Sequence, residues 1–120
     1  MNEHYQIIAE TKESLTEYIP KLIAACDQIS EMAQNNESGW VDLLDQFFEG
    51  TSWVIQAVSG IRRLESHTYV NAPVDEVMQL LQQLTEALEQ KDMVAVCDIL
   101  QFEIKQGLKG IIEDAHSIGL

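Results

Sequence analysis

An all-α fold, specifically an antiparallel up-down four-helix bundle, is what this sequence predicts, on three observations. Four stretches carry apolar residues at helical spacing. The connections between them are short, which forces neighbouring helices to run antiparallel. Nearly all of the 20 acidic residues fall opposite the apolar stripes, as the solvent face of an amphipathic helix requires.

The spacing places helix one over about residues 2–34. Ile8, Leu15, Leu22 and Ile29 recur every seventh residue, with Thr11, Tyr18, Ala25 and Met32 three places after each. Pro20 lacks an amide donor and crowds the carbonyl four residues back, yet the heptad phase continues across it. One helix kinked at Pro20 is therefore expected, with a break at Tyr18 to Ile19 the alternative. Asn35, Asn36, Glu37, Ser38 and Gly39 read as a turn, with Ser38 the expected N-cap of the next helix.

Helix two is expected over residues 40–66. Trp40, Phe47, Val54 and Ile61 form its inner line, with Leu44, Thr51 and Val58 beside them. Val41, Phe48 and Ile55 widen one edge of the stripe, and Leu43, Ala57 and Leu64 the other. Gly50 followed by Thr51 and Ser52 is also an end-and-cap signal, so the sequence leaves open whether this helix is continuous or split near Gly50.

Residues 67–72 form a connection, and Pro73 opens helix three, where Asp75 and Glu76 face the positive end of the helix dipole. Val74, Val77, Met78, Leu81, Leu84 and Leu88 make its expected buried line. Gln90 and Lys91 turn the chain, and Asp92 caps helix four. That helix points Met93, Cys97, Leu100, Ile104, Leu108 and Ile111 inward. Gly107 and Gly110 mark either a local weakening of the helix or a close helix contact.

At 120 residues and 46% apolar content the chain fills one core, so residues 1–120 are expected to form a single domain. Cys26 and Cys97 lie on apolar stripes, where a thiol behaves as a small hydrophobe. There is no basic start followed by an apolar run and a small-residue cleavage site, and no run of about 18 apolar residues. A soluble, cytoplasmic protein is expected. The formal net charge of -13 argues against nucleic acid and anionic membranes as partners, and Arg62 and Arg63 are the only adjacent basic pair.

Reaction chemistry finds little support. Glu10 with Glu13 and Asp42 with Asp45 have a spacing seen in magnesium-binding helical enzymes, but their phase puts them opposite the core. Di-iron bundles need paired Glu-x-x-His spacings, and Glu113 with His116 is the one match. No glycine-rich phosphate loop or nucleophile elbow occurs. A non-catalytic protein without a cofactor is expected. The alternative is a transition-metal site: in an up-down bundle His4, His67 and His116 fall at one end, with Glu113 nearby, an imidazole-rich set suited to zinc, nickel or iron.

Large apolar side chains off the core stripes are better clues. Ile99 and Phe102 lie off the inner line of helix four, and Trp53 points away from the Phe47 and Val54 line among Gln46, Ser52, Gln56 and Gly60. Apolar anchors rimmed by polar groups are the pattern of a protein contact surface. The expected partner is a protein, contributing an amphipathic helix to Trp53, Ile99 and Phe102. A homodimer through the same ridge competes with it.

The run from Lys91-Asp92 through Asp98-Ile99-Leu100 to Phe102-Glu103-Ile104 resembles a segment of small acidic helical proteins of unknown function from Gram-positive bacteria, some linked to motility genes. The resemblance covers about the last quarter of the chain. In size, acidity and helical content the whole chain is also similar to cytosolic chaperones of flagellar export substrates. That likeness implies a chaperone-like adaptor for a motility or secretion component, binding an amphipathic helix in an apolar groove.

Overall fold

The computed structural model describes residues 3–65 and 68–118, with the backbone alone at 3, 4 and 115–118. Helix α1 spans Glu3–Gln34, α2 Trp40–Leu64 and α3 Val74–Glu89. The fourth rod starts as α4, Met93–Asp98, passes through a π-helical stretch, Ile99–Ile104, and continues as α5, Lys105–Ile118. The fold is an all-α four-helix bundle. In it α1 packs against α2 and the fourth rod, and α3 packs against the same two. The pairs α1 with α3, and α2 with the fourth rod, sit on the diagonals, and their backbones make no close approach among the described residues.

Two side-chain ties fix the antiparallel order. Lys12, early in α1, meets Glu65 just past α2 at 3.2 Å, and Asp27, late in α1, takes Lys105 of the fourth rod at 2.7 Å. At about 1.5 Å per residue α1 is long enough to run nearly the full 51 Å of the bundle. Only 16 residues make up α3, so it leaves one end uncovered. Part of the connection between α2 and α3 fills that gap, burying Thr68, Tyr69 and Ala72. Tyr69 holds a left-handed backbone, φ 58°, and beside it the amide of Asn71 donates to the Asp114 carboxylate of α5 at 3.3 Å.

Helix one is unbroken, with Pro20 inside it and exposed. Helix two is also continuous across Gly50, which settles the open question of a split. Gly50 packs inside the helix instead of ending it. Ser38 does not cap α2: Gly39 occupies the N-cap in a left-handed conformation, φ 94°, where glycine carries no Cβ penalty. Asp92 does cap the fourth rod, its side chain accepting from the Ala95 amide at 3.1 Å. Asn36 and Lys91, both with φ near +60°, close α1 and α3. In each case the next residue's amide reaches five residues back, Glu37 to Met32 and Asp92 to Ala87.

One contiguous core joins all four rods, from Ile8, Leu15 and Ile29 through Phe47, Val54, Leu84 and Leu100 to Leu108. Three residues expected in it lie outside: Val41, Leu64 and Met78 are exposed, and Ala87 is buried on α3 in place of a fully covered Leu88. Leu64 and Met78 line grooves between neighbouring rods. Gly107 is needed for closeness, since a Cβ there would stand 2.6 Å from Cγ2 of Val77.

Candidate binding groove

The groove between α1 and α2 is built around Trp53. Its ring meets Tyr18 of α1 edge-on, with centroids 5.8 Å apart and planes at 80°. Tyr18 reaches α2 because Gly50 has no side chain: a Cβ there would overlap the tyrosine hydroxyl and ring edge. On one side of Trp53 lies a depression formed by Ser14, Tyr18 and Gly50. On the other lies a second, formed by Ile7, Thr11, Ala57, Gly60 and Leu64. Trp53 thus stands as a ridge between two hollows floored by small residues. It is 41% exposed, and Ile7 and Leu64 at the far rim are 59% and 58% exposed.

Of the three residues expected to form one contact ridge, the structure does not assemble a single surface. Ile99 is buried, 8% exposed, which corrects its placement on an outer face. The cause is the π stretch, where the Lys105 amide reaches back to the Leu100 carbonyl. Each π residue turns the chain less than an α residue does, so the stretch rotates Ile99 inward. Phe102 stays outside as its helical phase predicts, 65% exposed. Phe102 stands on the fourth rod and Trp53 on α2, rods on opposite corners of the bundle.

The proposed metal set fares differently. His67 and the side chains of His4 and His116 lie outside the described residues, and Glu113 is exposed on α5. No group of three or more His, Cys, Asp or Glu is placed to hold a metal ion among the described residues. Glu10, Glu13, Asp42 and Asp45 are all exposed, as their phase predicts.

The thiols are packed rather than presented. Cys26 is fully buried, and burial first, with Asp27 adding to it, pushes its thiol up to about 12. The Cys97 thiol donates to the Ser30 carbonyl at 3.8 Å, and the Ser30 hydroxyl donates to the Cys26 carbonyl at 2.9 Å. Burial, and then the Asp114 charge, likewise raise the Tyr69 hydroxyl above its ordinary value.

Sequence reasoning found Trp53 but missed its supports. The heptad pattern places Tyr18 in the core, and at Gly50 it leaves a helix break and a continuous helix both open. The signal was present as small residues at helical spacing, Gly50, Ala57 and Gly60 on α2 and Ser14 on α1, which leave room for an aromatic ring between two rods.

Residues 10–114 match a family model described as Domain of unknown function (DUF8042). No curated protein and no solved structure matches the chain. Among the described residues no helix is long and apolar enough to cross a membrane.

Proposed function

The chain belongs to the DUF8042 family, whose description assigns no activity, and we propose that it is a non-catalytic helical binding protein whose recognition surface is the α1/α2 groove. The observation that carries this reading is Trp53, a large aromatic held at the surface in one orientation by Tyr18 and flanked by two hollows. A half-exposed aromatic packed against a second ring and flanked by hollows has the form of a binding hot spot. An apolar segment of a protein partner would seat its side chains on either side of the indole. The finer reading is a cytoplasmic, chaperone-like adaptor for a motility or secretion component. It is supported by the acidity of the chain and by the likeness of its last quarter to motility-linked proteins. Bond chemistry has no support from Glu10, Glu13, Asp42 and Asp45, which face solvent, or from the packed thiols.

The test is site-specific photo-crosslinking in the source cell, with the photoreactive residue at Ser14 in the groove or at Glu86 on α3 as control. A discrete adduct with one other protein from Ser14, absent from Glu86 and lost in Trp53→Ala, is the expected result. Adducts of the chain with itself alone would replace this reading by a homodimer. Equal labelling from both positions would remove the groove as the site.

A further inference from the structure

Exposed carboxylates run along α1 beside the Trp53 groove and along α2 on the approach to Trp53. On α1, Glu10, Glu13 and Glu17 follow one another at spacings of three and four, beside the groove-lining Thr11, Ser14 and Tyr18. On α2, Asp42, Asp45 and Glu49 repeat the same spacing, and Glu49 lies one turn before Trp53. All six are exposed. Cations do little to balance them: Lys12 is tied to Glu65, Lys21 lies one turn beyond Tyr18, and Arg63 sits near the far end.

We infer that the groove takes a basic amphipathic helix, one whose apolar stripe is bordered by Lys or Arg along the edge facing α1 and at the Trp53 end of the edge facing α2. This rests on the groove being the recognition surface and adds the chemistry of its occupant. An acidic or neutral helix would bring its borders against like charge or leave these carboxylates unpaired, while a helix with basic borders meets opposite charge along α1 and beside Glu49. A second copy of this chain is a poor occupant for the same reason, since each carries a net charge of -13. The carboxylates set the rate of capture and the choice between helices, and the indole and its hollows hold what is captured.

The experiment uses the full chain in a Trp40→Phe background, so that emission reports Trp53 alone. The probes are two synthetic amphipathic peptides of about five helical turns, with leucine on one face and either lysine or glutamate on the other. The lysine peptide is expected to bind at least about tenfold more tightly, and to weaken by at least about tenfold between ~0.05 and ~0.5 M salt. Glu10→Lys, Glu17→Lys and Glu49→Lys together should reverse the preference. An equal charge change on α3, Asp75→Lys, Glu76→Lys and Glu86→Lys, should leave it in place. Gly60→Leu should block both peptides with the fold intact, because a Cβ at Gly60 points into open space.

The outcomes separate the two claims. Equal, salt-independent binding of both peptides, blocked by Gly60→Leu, would overturn the basic-helix inference and keep the groove as a docking surface. Loss of preference in the α3 control would assign the effect to overall charge and overturn the inference as well. Failure of both peptides to bind would bring down the docking surface itself.

Discussion

The hydroxyl of Tyr18 lies against the backbone of Gly50, in the space a Cβ would fill. That contact joins α1 to α2 and fixes the ring on which Trp53 rests. Gly50→Ala therefore has two opposed effects. Alanine favours the helix by about 1 kcal/mol, while Tyr18 must move aside at a cost of similar size. Urea unfolding should show a net change within about 1 kcal/mol, and Trp53 emission should shift as its edge-on partner leaves. In a Tyr18→Ala background the same substitution should stabilise by about 1 kcal/mol, since only the propensity gain remains. A destabilisation equal in both backgrounds would show that Gly50 matters for some reason other than Tyr18.

The π stretch makes an unusual deletion tolerable. Removing one residue from an ordinary α-helix rotates everything beyond it by about a quarter turn or more, which moves a core stripe into solvent. Within Ile99–Ile104 the chain already carries about one residue more than an α-helix would need for the same rotation. Deleting the exposed Phe102 should convert the stretch to α-helix while Ile99 and Leu100 before it, and Ile104 and Leu108 after it, stay inward. Thermal melts should place that deletion within about 2 kcal/mol of the parent. Deleting the exposed Gln56 from α2 should abolish cooperative folding. Equal damage from the two deletions would mean that the π stretch is not a spare residue.

These two cases also mark what the sequence could reveal. The four rods, the turns at Asn36 and Lys91 and the cap at Asp92 were legible because periodicity and capping are local. Ile99 was not, because a regular helical phase has no means of anticipating a π turn, whose only trace is a slip in the buried pattern through Ile99, Leu100 and Ile104. Trp53 was legible as a misfit on its stripe. The groove around it was not, since it depends on Tyr18 crossing to Gly50 from another rod, and facing partners are not written in either helix alone. The connection that carries Tyr69 read as a loop, and its burial follows from α3 being too short to cover the end of the bundle.

Thr51 lies on the inner line of α2, fully buried, and its hydroxyl makes no hydrogen bond with the described residues. A buried hydroxyl without a partner costs about 1–3 kcal/mol of lost hydration. Valine has nearly the same shape and no polar atom, so Thr51→Val should raise stability by about 1 kcal/mol or more. Thr51→Ser should lower it, because it keeps the hydroxyl and removes the methyl from the packed interior. Chemical denaturation of the two variants checks both signs. Stabilisation by serine and destabilisation by valine would mean that the hydroxyl has a partner in solution.

Alkali should unfold this bundle through its buried acids. Cys26 goes from an ordinary value of 9.0 to about 12, chiefly because burial disfavours the thiolate and secondarily because Asp27 is adjacent. The folded state therefore holds its proton more tightly than the unfolded chain. Stability is intact below about pH 9 and falls as the unfolded chain alone loses the proton, until the folded thiol titrates near pH 12. At about 1.4 kcal/mol per unit this single group withdraws on the order of 4 kcal/mol across that window. Tyr69, raised by burial and then by Asp114, adds a loss of the same sign that begins above its ordinary value of 10.0. Cys26→Ala should cost about 1 kcal/mol or more at pH 7 from the small cavity, and flatten the fall that starts at pH 9. Tyr69→Phe should leave that onset in place and reduce the later part. Stability measured by urea unfolding at a series of pH values decides it. A parent whose stability is level from pH 8 to about pH 11, or an alanine variant that falls as steeply as the parent from pH 9, would show that the Cys26 thiol is not sealed in the core.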